Sequence, residues 1–217
     1  MRRVVGLALL ALALPIAAWA DSINITNQNG SVTISNMAGT GGAGTIGAST
    51  ISTKGSQLTQ YNSYSAAPGH SLGTVSFTTG ALLSGTVSGG GTFAAGGSFN
   101  VIGVGAWAKA LTGQNKNPIT LFSGSFSGPV SWILTSSQGV HLTYTLSGNI
   151  TGTLYNGRMV TGQTTQTLYS TKGQLSAGIG HISMGTTGLA TPEPGTLGLL
   201  GTGLVAIAGM FRRKLMS

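Results

Sequence analysis

Apolar and polar residues alternate without interruption over residues 140–154. The even-numbered positions carry Val, Leu, Tyr, Ile or Gly, and the odd-numbered positions carry His, Asn, Ser or Thr. A period of two is typical of a β-strand with one buried face. Even-numbered positions from 122 to 134 repeat the pattern, and residues 136–139 (SSQG) have the composition of a turn. These segments predict strands connected by short turns.

A hairpin is predicted after the strand at residues 140–154. The dipeptide Asn156-Gly157 separates it from a further strand-like segment that includes Met159. Asn-Gly is the strongest short hairpin signal, because a type I′ turn requires a positive φ at both central residues. Strands joined in this way form an antiparallel meander. Residues 21–190, here called the body, are therefore predicted to be all-β, either an antiparallel sandwich or a barrel-like meander.

A short motif occurs three times in the body, at residues 83–93, 122–132 and 146–155. Each copy has an apolar residue followed by Ser-Gly, and then another apolar residue followed by Ser or Thr and Gly. The copies are unevenly spaced, which excludes a solenoid of fixed period. We expect similar long strands in one sheet, with glycine at bends or at close approaches of two backbones.

Composition favours strands over helices. Gly accounts for 37 of the 217 residues and charged residues for only 6%, so helical surfaces built on Glu and Lys are excluded. The hydrophobic content of 41% argues against disorder. The chain has no cysteine, so the core must be stable without disulfides.

The N-terminal segment, residues 1–20, has the three parts of a secretory signal peptide. Two arginines precede an apolar run over residues 4–17, and Ala18 and Ala20 provide a small-x-small cleavage site. The run is shorter than the roughly 20 residues that a spanning helix needs, which argues against the alternative of a retained anchor. We expect signal peptidase to leave Asp21 as the mature N-terminus.

The C-terminal segment has a longer apolar run. Residues 195–211 contain no charge, and as a helix they would be roughly 25 Å long, near the lower limit for crossing a bilayer. Arg212, Arg213 and Lys214 follow, and the positive-inside rule places them in the cytoplasm. The alternative is a buried helix of a soluble domain, but the five glycines of this run would destabilise such a helix. We therefore expect a single transmembrane helix with the body outside.

Pro192, Glu193 and Pro194 directly precede this run. The tripeptide, the apolar run and the basic end resemble the PEP-CTERM sorting signal of Gram-negative bacteria. The resemblance covers residues 191–217 and comes with the signal peptide that the family requires. It implies recognition of the tripeptide by an exosortase, a multi-pass membrane cysteine protease or transpeptidase encoded near exopolysaccharide genes. It also implies an exported surface or matrix protein that is anchored transiently in the inner membrane.

The chemistry of the tripeptide agrees with this role. Two prolines favour an extended backbone, and Glu193 is the only acid after Asp21. An extended peptide with one charge at the bilayer surface is easy for a membrane enzyme to select. The alternative is a simple helix start with Pro and Glu in the first turn.

Catalytic motifs are weak in this chain. Residues 69–73 (GHSLG) match a nucleophile elbow, which needs a strand-to-helix turn and, after the Ser, an acid and then a His. The only acid after Ser71 is Glu193, and no His follows it. Glycosidases and calcium sites need clustered carboxylates, and the three histidines lack zinc-ligand spacing. We expect no catalytic, metal-binding or cofactor-binding residues.

Charge gives little indication of a partner. The formal net charge is +8, but half of the ten basic residues lie in the two targeting segments. The others are scattered: Lys54, Lys109, Lys116, Arg158 and Lys172. We therefore do not expect nucleic acid as a partner, whereas an anionic polysaccharide or a role in solubility alone both fit.

Two features of the body suggest contact with sugars. The odd-numbered Ser and Thr residues from Thr143 to Thr153 form a hydroxyl-lined face suited to glycans or ice, although most such rows are only the wet face of a sheet. Trp107 and Trp132 are candidate stacking residues, with Trp132 expected in the core.

These observations predict three segments: a signal peptide (1–20), a Gly/Ser/Thr-rich all-β extracellular domain (21–190) and a sorting tail (191–217). We expect a structural surface or matrix protein that is associated with exopolysaccharide, and not an enzyme. Its expected partners are signal peptidase, an exosortase and the inner membrane. A carbohydrate-binding module that uses the Thr/Ser face is the alternative, and a hydrolase is disfavoured.

Overall fold

Antiparallel strands dominate the computed structural model, which describes residues 22–36, 44–170 and 180–191. These residues contain one helix, α1 (Ala106–Thr112), and fourteen strands. The strands are β1 (Ser22–Gln28), β2 (Ser31–Ser35), β3 (Thr50–Lys54), β4 (Ser56–Tyr61), β5 (Tyr64–Ser65), β6 (Gly73–Thr78), β7 (Leu82–Thr86), β8 (Gly90–Phe93), β9 (Gly96–Gly103), β10 (Ile119–Phe126), β11 (Val130–Gln138), β12 (His141–Leu154), β13 (Met159–Ser170) and β14 (Gly180–Ala190).

Eight strands close into a barrel. Around the barrel their order is β1, β14, β13, β12, β10, β9, β6 and β4, and β4 pairs again with β1. Closure gives each of these strands a partner on both sides, so none of them is an edge strand. The all-β prediction is confirmed, and of its two architectures the barrel is observed.

The remaining six strands extend this sheet. β2 and β3 lie between β14 and β6, β5 pairs with β4, and β11, β8 and β7 follow one another outward from β12. β12 is long enough to have two partners on one side. Its first half pairs with β11, as in Ser147 with Ser131, and its second half pairs with β10, as in Ile150 with Phe126.

One side of the core, the aromatic wall, is built from four phenylalanines on β6, β9 and β10. They are fully buried: Phe77, Phe99, Phe122 and Phe126. Ring centroids lie 6.0 to 6.2 Å apart, with Phe99 in contact with the other three. Each buried Phe side chain contributes roughly 1.5–3 kcal/mol by leaving water.

The other side of the core, on β1, β4, β13 and β14, contains a buried amide network. Asn27 donates from Nδ2 to Gln166 Oε1 at 2.9 Å and to Ser56 Oγ at 2.8 Å. Gln166 Nε2 donates to Thr164 Oγ1 at 2.9 Å, and that hydroxyl lies 2.8 Å from Thr187 Oγ1. All five residues are at most 2% exposed, so these bonds offset the cost of burying polar groups.

The repeated motif reflects close backbone approach. Gly124 on β10 lies opposite Gly152 on β12, and a Cβ on either residue would lie within 3 Å of Phe122 Cζ. The glycines therefore leave room for the Phe122 ring. The expectation of three similar long strands is wrong, since residues 83–93 form the β7–β8 hairpin and residues 122–132 are divided between β10 and β11.

Several predicted boundaries also differ. The alternation over residues 122–134 belongs to two strands, separated at Pro129, which has no N–H to donate to a ladder. β11 continues to Gln138, and β12 begins at His141, so Val140 is exposed in the turn instead of buried. The β12–β13 hairpin is confirmed, but its turn is not type I′, because Gly157 has a positive φ and Asn156 does not.

Residues Ser22–Ala190 form one compact unit. Among the described residues, no helix has the length and hydrophobicity that a membrane crossing requires. The predicted signal peptide and the predicted transmembrane helix at 195–211 both lie outside the described residues.

Candidate functional site

The outward faces of β12, β13, β14 and β1 form a largely polar surface, which also exposes Met159, Tyr169 and Met184. Strand register aligns their side chains in rows that cross all four strands. One row, here called the amide row, contains Asn149, Gln163, Gly188 and Asn24. The next row contains Ser147, Thr165, Thr186 and Thr26. The predicted hydroxyl face of β12 is therefore part of a wider surface.

A groove of about 440 Å³ lies in this surface. Its lining residues come from three strands: Asn24, Ile25, Thr26, Gln163, Thr165, Thr186, Thr187 and Gly188. Gly188 lies between Asn24 and Gln163 in the amide row and has no side chain to fill the space between them. A Cβ added there would meet nothing closer than Asn24 Oδ1 at 3.9 Å. The missing side chain thus contributes to the groove.

The amide side chains of this row are available for a ligand. Within the described residues, those of Asn24, Asn149 and Gln163 make no hydrogen bond, and Asn24 and Gln163 line the groove. Some other exposed amides are occupied, as in Asn29 Nδ2, which donates to Gln57 Oε1 at 3.0 Å. A carboxamide offers two donor hydrogens and one acceptor oxygen. The groove can therefore donate and accept hydrogen bonds without any charge.

Electrostatics at the groove are neutral. Asp21 and Glu193, the two acids of the chain, lie outside the described residues, so the described part has no carboxylate side chain. Its basic residues are Lys54, Lys109, Lys116 and Arg158, and none of them lines the groove. The described residues that line the groove therefore include no carboxylate that could ligate a cation and no basic side chain that could pair with an anion.

The GHSLG segment at residues 69–73 does not have the geometry of a nucleophile elbow. Ser71 is exposed in the segment that leads into β6, so a strand follows it where the elbow requires a helix.

The two candidate tryptophans lie outside the groove. Trp132 is 1% exposed and stacks on Tyr144 with centroids 4.5 Å apart, which confirms its predicted place in the core. Trp107 is half-buried, and its Nε1 donates to the Leu72 carbonyl at 3.0 Å. Its ring lies 5.3 Å from that of Tyr64, tilted by 44°, so the two rings do not form a coplanar platform.

The predicted sorting residues all lie outside the described residues: Pro192, Glu193, Pro194, Arg212, Arg213 and Lys214, together with Ala18 and Ala20 of the signal-peptidase site. Comparison with known families identifies the tail. Residues 190–214 match the PEP-CTERM protein-sorting motif. The suspected resemblance is thereby confirmed for this segment. A PEP-CTERM motif implies an exported protein with a C-terminal, membrane-anchored sorting signal that an exosortase processes. No curated protein and no solved structure matches the chain.

Sequence reasoning identified the hydroxyl row of β12 but missed the groove. Asn24, Gln163 and Gly188 are far apart in the chain and meet only through strand pairing. A partial signal was present in residues 22–28 (SINITNQ), where polar and apolar residues alternate as they do in β12.

Proposed function

We propose that this chain is an exported surface or matrix protein whose barrel has a structural role in an exopolysaccharide matrix and no catalytic activity. The observation that carries the proposal is the PEP-CTERM match at residues 190–214, which accounts for export and for processing by an exosortase. The closed barrel and its polar, sparsely charged exterior support a structural role, since such a surface suits a hydrated, polyhydroxylated matrix.

In this proposal the two ends of the chain act in sequence. Signal peptidase removes residues 1–20 and leaves Asp21 first. The apolar run at 195–211 then holds the protein in the inner membrane with Arg212, Arg213 and Lys214 in the cytoplasm. The exosortase recognises Pro192, Glu193 and Pro194 and separates the body from the anchor.

Replacing the charge of the tripeptide tests this sequence of events. In a host with an exosortase, Glu193→Ala should be exported normally, because the signal peptide and the apolar run are unchanged. It should then accumulate in the inner membrane as a form heavier by the tail, whereas the wild type is processed and found outside the cell. Intact-mass measurement of membrane and extracellular fractions distinguishes the two forms.

Thr196→Ala, which alters the same tail but leaves the tripeptide intact, is the matched control and should behave as wild type. Release of processed Glu193→Ala at the wild-type level would show that processing does not depend on recognition of the Glu193 carboxylate.

A second candidate function, a carbohydrate-binding module, is favoured by the groove and its free amides. Retention of the mature protein on a polysaccharide column supports it, and elution with unbound protein argues for a scaffold alone.

A further inference from the structure

We propose that the groove formed by β1, β13 and β14 binds an uncharged polysaccharide strand that lies across the amide row. The proposal rests on the carbohydrate-binding function above and assigns that function to particular residues. It differs from the sequence prediction, which placed glycan contact on the Ser and Thr residues of β12.

The amide row is long enough to contact an extended ligand at several points. Neighbouring strands lie about 4.8 Å apart, so the three steps from Asn149 to Asn24 span roughly 14 Å. Gly188 is the only position of the row without a side chain, and it lines the groove between the amides of Gln163 and Asn24. A short length of a sugar chain crossing the strands would place one ring over Gly188, with an amide on each side.

The hydrogen-bonding groups fit sugar hydroxyls. A carboxamide presents its C=O and NH₂ in one plane, so it can accept from one hydroxyl and donate to the next hydroxyl of a vicinal diol. Thr165 and Thr186 in the adjoining row add hydroxyls whose β-branched side chains lose little freedom on binding. Because the side-chain amides of Asn24 and Gln163 have no hydrogen-bond partner among the described residues, a ligand would not have to break existing side-chain hydrogen bonds.

The charge of the groove selects among ligands. An anionic chain would be desolvated without a cation to pair with, since no basic residue lines the groove. A protein partner would need apolar anchors, but the only large apolar lining residue, Ile25, is 1% exposed. An uncharged polyhydroxylated strand is the remaining class that satisfies these groups.

Binding of defined glycans to the full chain tests the proposal. The protein is purified in a detergent without a sugar headgroup and titrated with dextran and hydroxyethylcellulose, which are neutral, and with polygalacturonate, which is anionic. We expect affinity for at least one neutral glucan and at least tenfold weaker affinity for polygalacturonate.

Two variants locate the site. Gly188→Val fills the groove, is sterically allowed at Cβ and suits a strand, so it should reduce neutral-glucan affinity at least tenfold with the melting temperature unchanged. The double variant Asn24→Ala/Gln163→Ala removes both amides without filling the groove and should have the same effect. Asn100→Ala is the matched control, because Asn100 lies on β9 outside the groove and should leave affinity unchanged.

The outcomes separate this inference from the function on which it rests. Neutral-glucan binding that survives both groove variants would exclude the groove and leave carbohydrate binding in place. Binding to polygalacturonate alone would contradict the neutral ligand class. Binding to none of the three glycans would contradict both the inference and the carbohydrate-binding function, while the sorting proposal would still be decided by the Glu193 variant.

Discussion

The two sides of the barrel core are stabilised by different kinds of contact. The aromatic wall on β6, β9 and β10 depends on ring packing, with Phe99 at its centre. The amide network on β1, β4, β13 and β14 depends on directional hydrogen bonds around Asn27 and Gln166. Burial of apolar rings is non-directional, whereas hydrogen bonds weaken steeply with angle. The aromatic wall therefore contributes mainly stability, whereas the amide network also fixes how the strands are aligned with one another.

The alignment concerns strand register. A slip of one residue turns every side chain to the other face, but a slip of two keeps apolar residues inside. The network excludes the slip of two as well, because Asn27 and Gln166 must both lie opposite Gly185 of β14 to reach each other. Gly185 is required for the same reason, since a Cβ there would collide with Asn27 Oδ1 and Gln166 Oε1.

The largest effect is expected on the aromatic side. Phe99→Ala should lower the free energy of unfolding of the body by about 3–5 kcal/mol, because it leaves a cavity among three other rings. Urea unfolding followed by circular dichroism measures the change. Phe99→Leu, which keeps most of the volume, should cost clearly less. A loss below about 1 kcal/mol for the alanine variant would show that the wall collapses around the cavity.

An intermediate effect is expected in the amide network. Gln166→Met removes both hydrogen bonds between the two amides and leaves the buried Asn27 Oδ1 without a donor, so it should cost about 1–3 kcal/mol. Asn27→Leu should cost a similar amount, because it leaves Gln166 Oε1 without a donor. The double variant should cost less than the sum of the two, with a coupling of about 0.5–3 kcal/mol, because no partner is then left unsatisfied. Additive losses in a denaturation-based double-mutant cycle would show that the two amides contribute independently.

The smallest effect is expected at Tyr144, which combines both kinds of contact by stacking on Trp132 and donating its hydroxyl hydrogen to the Ser88 carbonyl at 2.8 Å. Tyr144→Phe should cost about 1 kcal/mol near neutral pH. Burial raises the pKa of the Tyr144 hydroxyl above 10.0. The contribution of this hydroxyl is therefore complete below the unfolded-state pKa and declines as pH rises through the higher folded-state pKa.

The stability difference between wild type and Tyr144→Phe should accordingly narrow above pH 10. Urea titrations of both proteins at neutral and at alkaline pH measure it. A stability difference that stays constant from neutral to alkaline pH would contradict a raised pKa of the Tyr144 hydroxyl.

Local patterns predicted the features that depend on neighbouring residues. Alternation located β12 almost to the residue, and the tail was recognised because its tripeptide, apolar run and basic end are contiguous. Features that depend on distant pairing were missed. Asn27 and Gln166 are 139 positions apart, and Gly188 gains its place between two amides only after β14 has joined β1 and β13.

The position of β14 has a mechanical consequence for a protein that is held by its tail. The strand ends at Ala190, where it is paired with Ser22 on one side and with Thr161 on the other. Antiparallel hydrogen bonds are perpendicular to the strands, so a pull along β14 loads both ladders in shear and the bonds must yield together. Tension transmitted through the chain beyond Ala190 is thus shared by three strands, and the barrel can bear load at the point where the body meets the tail.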